Sequence, residues 1–562
     1  MALVPNDLLD RLPELSDDPT HPSQIAIRTY GLALSLSLGP SLIPFLLSII
    51  TRRRSQKTGL AALRKVLRRE LGYDGFAFAV TVAVGGGAAL RRLWESFDRD
   101  QQRKKRSSWL SRLNNRLSSC QKTFIANVLT SSLSILLLSA GRRRSERLRN
   151  IPRPGALPIP YTWTPSNPNS NLNPNLSSSP SPTLDLTLLV LVRAIDVALQ
   201  SLITKFTNKP EAEVELAKGK RSNKEKVKLT TRLDALVFWA CSARIMWCFF
   251  YEPQRLPSTY VKWIRTLAAV DSRLLRALRL IRSGEWTYSR GSSAHASLLT
   301  TYAKDLGYPS TWGDPLFVGH RGVPCELVHG GTGSMLGLDA SCTANAGIRG
   351  LKAFLEAILV YLPAHFIPVL ITRPQVLLRP YRVFTTLLST FRSAAFLSTF
   401  VASFWASVCF TRTLALAPLF PSISHEFWDG PLGCILAGCL MCGSSIWIEN
   451  GRRRGEMALY VLPRAIRASL PDGLVKSRKG IVLMLERLTF MLSLSTLLTA
   501  AIHKPESLRG LSRWGLSFIM SGPHAGFWQR RRRNFETRPS TPRRIDTPSP
   551  GTPEADQHQP SS

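Results

Sequence analysis

The sequence predicts an all-α, multi-pass transmembrane helical protein made of two repeated modules of about four spans each, with disordered loops and a disordered C-terminal tail. Apolar blocks of membrane-crossing length recur along the chain, arginine and lysine clusters fill the gaps between them, and both return in the same order in the second half. Whole-chain averages conceal this alternation. The 562 residues carry 73 Lys and Arg against 37 Asp and Glu, a formal charge of +36, yet 44% are hydrophobic and the mean hydropathy is −0.01. Such a chain is neither wholly disordered nor a small disulfide scaffold. The excess positive charge asks for an anionic partner, lipid headgroups or nucleic acid, and the placement of the apolar residues decides between them.

Tyr30 to Ile50 is free of charge over 21 residues, the length a helix needs to cross about 30 Å of hydrocarbon. Gly72 to Leu90, Thr123 to Ala140, Ala353 to Ile371, Ala394 to Phe410 and Leu432 to Ile448 are similar. Leu233 to Tyr251 and Ile481 to Ile502 also qualify, with Arg244, Glu486 and Arg487 expected to face protein or snorkel. Leu188 to Leu202 and Met457 to Leu470 read as amphipathic segments, one per module, each holding an arginine, Arg193 or Arg464, inside an apolar stretch. A cation there snorkels to a headgroup or lines a polar cavity, so both are candidate intramembrane polar residues.

The gaps are basic. Arg142, Arg143 and Arg144, then Arg452, Arg453 and Arg454, follow apolar blocks and are expected to anchor to anionic headgroups. Nucleic acid is not an expected partner, because only the stretch Arg530 to Arg533 in the tail suggests it, and that stretch is short. Residues 1–26 are polar and acidic, with neither a secretory signal nor an Arg-rich presequence in view. The nine cysteines mostly lie in or beside apolar blocks and read as small packing residues. Gly85, Gly86 and Gly87, with Gly433, Ala437, Gly438 and Gly443, make helix faces suited to close packing, within the chain or in a homo-oligomer.

Four anchors define the repeat. Ile43-Pro44 returns as Ile367-Pro368, Gly141 to Glu146 (GRRRSE) as Gly451 to Glu456 (GRRRGE), Arg193-Ala194-Ile195 as Arg464-Ala465-Ile466, and Glu252-Pro253 as Lys504-Pro505. The offsets shrink from 324 through 310 and 271 to 252, which places insertions in the first half. These coincide with a Pro/Ser/Asn-rich disordered insert, 151–183, and a charged linker, 205–230. The chain therefore divides into a polar segment 1–26, a first membrane module 27–283, a polar Cys/His segment 284–350, a second module 351–527 and a basic, Pro-rich tail 528–562. Pro40, Pro44, Pro363 and Pro368 are expected to kink their helices, as in transporters.

The polar segment contains Cys325, His329 and Cys342, soft metal-ligand types in the pattern Cys-x3-His-x12-Cys. That spacing matches no strong zinc signature. A metal, a Cys325–Cys342 disulfide and plain packing all stay open. No cofactor motif is present: the glycines from Gly331 to Gly337 lack the Lys-Ser/Thr of a phosphate loop.

Pro324 to His329 (PCELVH), then Ser341-Cys342-Thr343, then Gly350 to Leu355 opening an apolar helix, resemble the Cys-rich start of the transmembrane protein 135 family, also described as a peroxisomal membrane protein family. The likeness continues through Asp429-Gly430 and Gly451 to Arg454, covers about residues 320 to 520, and reaches the first half through the repeat. A full module precedes the Cys-rich segment here, an arrangement that looks fungal. The resemblance implies a distant similarity to the superfamily of translocase and peroxisomal membrane proteins that includes the Tim channel subunits. It also implies a mitochondrial or peroxisomal membrane and a role in membrane organisation, membrane dynamics or lipid handling. The alternative is a repeat-built transporter or channel with its site at the module interface. An enzyme is not expected, since no acyltransferase His/Asp pair, nucleophile elbow or paired intramembrane carboxylates occur.

Overall fold

A computed structural model describes residues 18–50, 60–73, 75–104, 117–147, 183–207, 216–286, 297–314, 322–372, 375, 379–475 and 480–522. Expectations for residues 1–17, the insert 151–182, His320 and the tail 528–562 with Arg530 to Arg533 lie outside the described residues. Among the described residues there is no strand. Hydrocarbon leaves the backbone no other partner than itself, so a chain of apolar blocks must resolve into helices.

The first half contains α1 (Pro22–Ile50), α2 (Leu60–Glu70), α3 (Phe76–Lys104), α4 (Ser119–Arg147), α5 (Leu184–Thr207) and α6 (Leu216–Tyr251). Four short helices follow: α7 (Ser258–Ala268), α8 (Ser272–Ser283), α9 (Ser297–Asp305) and α10 (Cys325–His329). The second half contains α11 (Cys342–Thr372), α12 (Pro380–Cys409), α13 (Cys434–Cys442), α14 (Gly451–Ser469), α15 (Gly480–His503) and α16 (Gly510–Ser521). Among the described residues, eight segments are long and apolar enough to cross a membrane: Phe76–Asp100, Ser119–Gly141, Leu184–Thr204, Leu229–Tyr251, Cys342–Ile367, Pro380–Leu419, His425–Ile448 and Gly480–His503. The chain is an all-α, multi-pass membrane protein.

Several expectations need correction. The segment read as amphipathic at Leu188 to Leu202 lies in α5, which is itself of spanning length. Its two interior charges find partners far away in sequence, Arg193 at Glu456 and Asp196 at Arg509, so they do not have to reach a headgroup. The span expected at Leu432 to Ile448 falls within the membrane-length segment His425–Ile448, although its helix is not uniform: the nine-residue α13 tightens into a 3₁₀ turn over Gly443–Ile448. At Pro40, Pro44, Pro363 and Pro368, where kinks are expected, α1 and α11 continue as helix. The charged linker is helical from Leu216, as the start of α6. Tyr30 to Ile50 is the latter part of α1, where the side chains of 40, 43, 44 and 46–50 lie outside the described residues.

Two bundles form, and each borrows a helix. In one, α1 packs on α3, α3 on α4, and α15 from the second half packs on α4 and α5. In the other, α11 packs on α12, α12 on α13, and α6 from the first half packs on α13 and α14. The same order of packing thus occurs twice, with α6 and α15 exchanged. The larger core runs from Phe238, Phe249 and Phe250 of α6 through Phe404 and Trp405 of α12 to Cys439 of α13 and Ala465 of α14. Phe250 stacks on Phe404 with ring centroids 5.2 Å apart.

The glycine-rich faces are used inside the chain. A Cβ on Gly85 would lie 2.9 Å from Ala26 of α1, and one on Gly86 would lie 3.1 Å from Thr130 of α4. A Cβ on Gly438 would lie 2.8 Å from the Phe404 ring, and one on Gly443 would lie 2.7 Å from Trp239. Because lipid gives apolar helices no hydrophobic reason to associate, such close approach is what holds them together.

The bundles meet where α5 crosses α14. Two reciprocal ion pairs clamp this crossing. Arg193 of α5 pairs with Glu456 of α14 at 3.3 Å, and Arg467 of α14 pairs with Asp185 of α5. Arg509 adds a bridge, taking Asp196 of α5 and, at 2.9 Å, Asp234 of α6.

Candidate functional site

Beside this crossing the second bundle holds a pocket of about 640 Å³, within the range of small-molecule sites. Helical spacing builds its walls. On α6, Phe238, Ser242 and Ile245 share a face; on α12, Phe396, Phe400 and Phe404 do the same at intervals of four. Amphipathic α7 lays Tyr260, Trp263 and Ile264 across it, and α14 contributes Glu456, Tyr460 and Arg464, again four apart. The wall is thus chiefly aromatic and aliphatic, with its charges on one helix. Glu456 and Arg464 are eight residues apart, or about 12 Å along α14 at 1.5 Å per residue.

The charges are held differently. Glu456 shares its carboxylate with Arg193, so that predicted intramembrane arginine is paired and does not snorkel. Arg464 donates to the Tyr460 carbonyl and lies 3.8 Å from the ring centroid of Tyr460 and 6.0 Å from that of Tyr260, so a hydrogen bond and cation–π contact restrain it. Burial pushes the Tyr260 phenol up to about 12, against the pull of Arg464, which leaves it a hydrogen-bond donor at neutral pH. On the opposite wall, the buried Trp405 Nε1–H has no acceptor among the described residues. The pocket can therefore take an apolar group and offer Arg464 to an anion.

No family model, curated protein or solved structure matches this chain.

A second constellation joins the polar segment to α12. Ligand atoms of Cys325, His329 and Cys342 lie within 4.8 Å of one another. All nine cysteines are free thiols, so the Cys325–Cys342 disulfide is not formed. His329 is fully buried, and burial lowers its pKa, so the imidazole is neutral at physiological pH. Its Nδ1–H donates to the Asp339 carbonyl at 2.6 Å. That leaves the Nε2 lone pair facing Cys409 Sγ at 3.5 Å. The Cys342 thiol lies against those of both Cys325 and Cys409.

The surroundings hold the cluster in place. Arg349 of α11 donates to the His329 carbonyl at 2.7 Å and to the Ala268 carbonyl at 2.6 Å, tying the segment to the end of α7. Past Cys409 the chain makes a π-helical turn, Phe410–Leu414, an irregularity common at functional sites. This turn aims Thr413 Oγ1 at Cys325 Sγ, 2.8 Å away, and brings Arg412 Nη1 to 3.8 Å from the same sulfur. Arg412 is buried and pairs with Asp429 at 2.5 Å.

The two Gly-Arg-Arg-Arg sites differ. Arg142, Arg143 and Arg144 continue α4, but their side chains lie outside the described residues. Arg453 donates to Ser393 at 2.7 Å and Ser389 at 2.9 Å, and Arg454 caps the carbonyls of Glu449 and Trp447 at 2.9 and 2.7 Å. Arg452 is exposed and free to point at headgroups. Sequence reasoning missed Cys409, which it placed among packing cysteines; the nearby Arg412 in an apolar stretch was the available signal. It also missed Tyr260 and Trp263, which belong to a helix without a motif.

Proposed function

We propose that this protein handles membrane lipid in a mitochondrial or peroxisomal membrane, taking one acyl chain into the pocket between α6, α7, α12 and α14, with the lipid's anionic group toward Arg464. The observation that carries this reading is the roughly 640 Å³ pocket, lined mainly by aromatic and aliphatic side chains with Arg464 in its wall. Anionic lipid is the partner, through the pocket and through exposed arginines such as Arg452. The organelle follows from the resemblance of the Cys-rich segment to the transmembrane protein 135 family. The doubled order of helix packing fits two copies of one module that have exchanged their last spans.

A second reading, a repeat-built transporter or channel, draws on the convergence of Asp185, Arg193, Asp196, Glu456, Arg467 and Arg509 at the junction of the bundles. Each of these charges is paired to another of the group, a state suited to a clamp, so lipid handling is favoured.

The test is lipid analysis of the purified full chain. Wild type should co-purify with acyl lipid that Val461→Trp, which fills the pocket, excludes, while Arg464→Glu should shift the bound population away from anionic lipid. Equal lipid content in wild type and the filled pocket would refute the proposal. Tagged chain that failed to colocalise with either mitochondrial or peroxisomal markers would refute the organelle.

A further inference from the structure

We propose that Cys325, His329, Cys342 and Cys409 form a tetrahedral Cys₃His site for zinc, which staples the polar segment between the two halves to the end of α12. Three of these residues come from one stretch of chain and the fourth from 67 residues beyond Cys342. Spacing along the sequence therefore hides the set and folding assembles it.

The donor chemistry is that of structural zinc: three thiols and one imidazole, four ligands in all, with no carboxylate among them. A tetrahedral zinc with Zn–S near 2.3 Å and Zn–N near 2.0 Å keeps its ligand atoms about 3.4–3.8 Å apart. His329 Nε2 and Cys409 Sγ already stand at 3.5 Å. Cys325, His329 and Cys342 lie within 4.8 Å of one another, so these three close on an ion by contracting about 1 Å, and Cys409 joins them through its contact with His329.

The outer contacts are also those a metal site uses. A ligating histidine commonly donates its other ring N–H to a carbonyl or carboxylate, which fixes the tautomer. Here the Asp339 carbonyl accepts from Nδ1 at 2.6 Å, leaving Nε2 as the ligand atom. Cys342 is the first residue of the 31-residue α11, so the helix itself fixes where its thiol stands. The Thr413 hydroxyl at 2.8 Å can donate to the Cys325 thiolate, and Arg412 offsets its charge from 3.8 Å. Binding one Zn²⁺ releases three thiol protons to solvent and leaves three thiolates and a neutral imidazole on the ion.

The test uses the full chain purified in detergent from zinc-supplemented cells and dialysed against metal-free buffer. Mass spectrometric metal analysis should find about one zinc per chain. Cobalt exchanged for zinc should show the intense visible bands of tetrahedral thiolate coordination. Cys409→Ala and Cys342→Ala should lose the metal, Cys439→Ala, at a buried cysteine outside the cluster, should keep it, and Thr413→Val should weaken zinc affinity about tenfold. Should the alanine variants fail to fold, wild type alone decides the matter: alkylation of Cys325 and Cys342 should be blocked with zinc bound and restored by a chelator. Wild type without zinc, Cys409→Ala with wild-type zinc content, alkylation indifferent to the chelator, or a Cys325–Cys342 disulfide in the purified chain would each overturn the proposal.

Discussion

Replacing Arg467 by Met tests whether the reciprocal ion pairs hold the two halves together. Arg467 is 4% exposed and its partner Asp185 21% exposed, so the substitution leaves a carboxylate largely cut off from water with no counter-charge. Removing one member of a fully buried pair costs about 3–5 kcal/mol, and the residual exposure of Asp185 puts this one near the lower end, about 3 kcal/mol. That is about a 150-fold change in the unfolding equilibrium. Exchanging the charges, Asp185→Arg with Arg467→Asp, should recover all but about 1 kcal/mol, the remainder arising because an arginine at the start of α5 opposes the helix dipole. Denaturant unfolding of the detergent-solubilised chain, followed by the fluorescence of its 13 tryptophans, reads both effects. The reasoning is refuted if Arg467→Met lies within about 0.5 kcal/mol of wild type, as for an exposed pair, or if the exchanged pair is no more stable than the single variant.

Two further outcomes follow from packing. Gly443→Ala places a methyl 2.7 Å from the Trp239 ring and 2.9 Å from Trp239 Cα, and should cost about 1–3 kcal/mol by overpacking. Gly347→Ala, on α11 with nothing within 4 Å of the added carbon, should instead gain about 0.5–1 kcal/mol of helix stability; the same unfolding measurement compares them. Because α6 and α15 are exchanged, neither half should be stable alone. Fragments 1–290 and 291–562, unstable when expressed singly, should co-elute as one species on size-exclusion chromatography when co-expressed. A monodisperse 1–290 fragment would contradict the exchange.

Most of the membrane helices could be read from the sequence, because the signal is simple and local. A block such as Ile481 to Ile502 has nowhere to go but hydrocarbon or a core, and α15 is where it was expected. Reading failed at α5 because local composition cannot reveal a remote partner. Arg193 and Asp196 look too polar for a span until Glu456 and Arg509 arrive from 263 and 313 residues away. The same blindness hid Cys409. A cysteine in the apolar Ala406 to Phe410 resembles any packing residue, and only the fold sets its sulfur against His329. The pocket was wholly illegible, since its aromatic residues carry no pattern beyond helical periodicity.

These failures have one physical origin. In lipid, apolar side chains are as well solvated as in a protein core, so burial by itself does not say which helices belong together. The choice falls to close backbone approach at glycine and to buried polar contacts, which are costly when unmet and therefore select one arrangement over its neighbours. The polar contacts here lie where the chain must join segments remote in sequence: Asp185–Arg467 and Arg193–Glu456 between bundles, and Cys325, His329, Cys342 and Cys409 between the polar segment and α12. A buried ion pair is often weaker in net stability than the apolar contacts that could replace it. Its place at the α5–α14 crossing, where the two bundles meet, points to specificity as its contribution. An Asp185→Leu, Arg467→Leu double variant should then remain folded while losing preference for the exchanged arrangement.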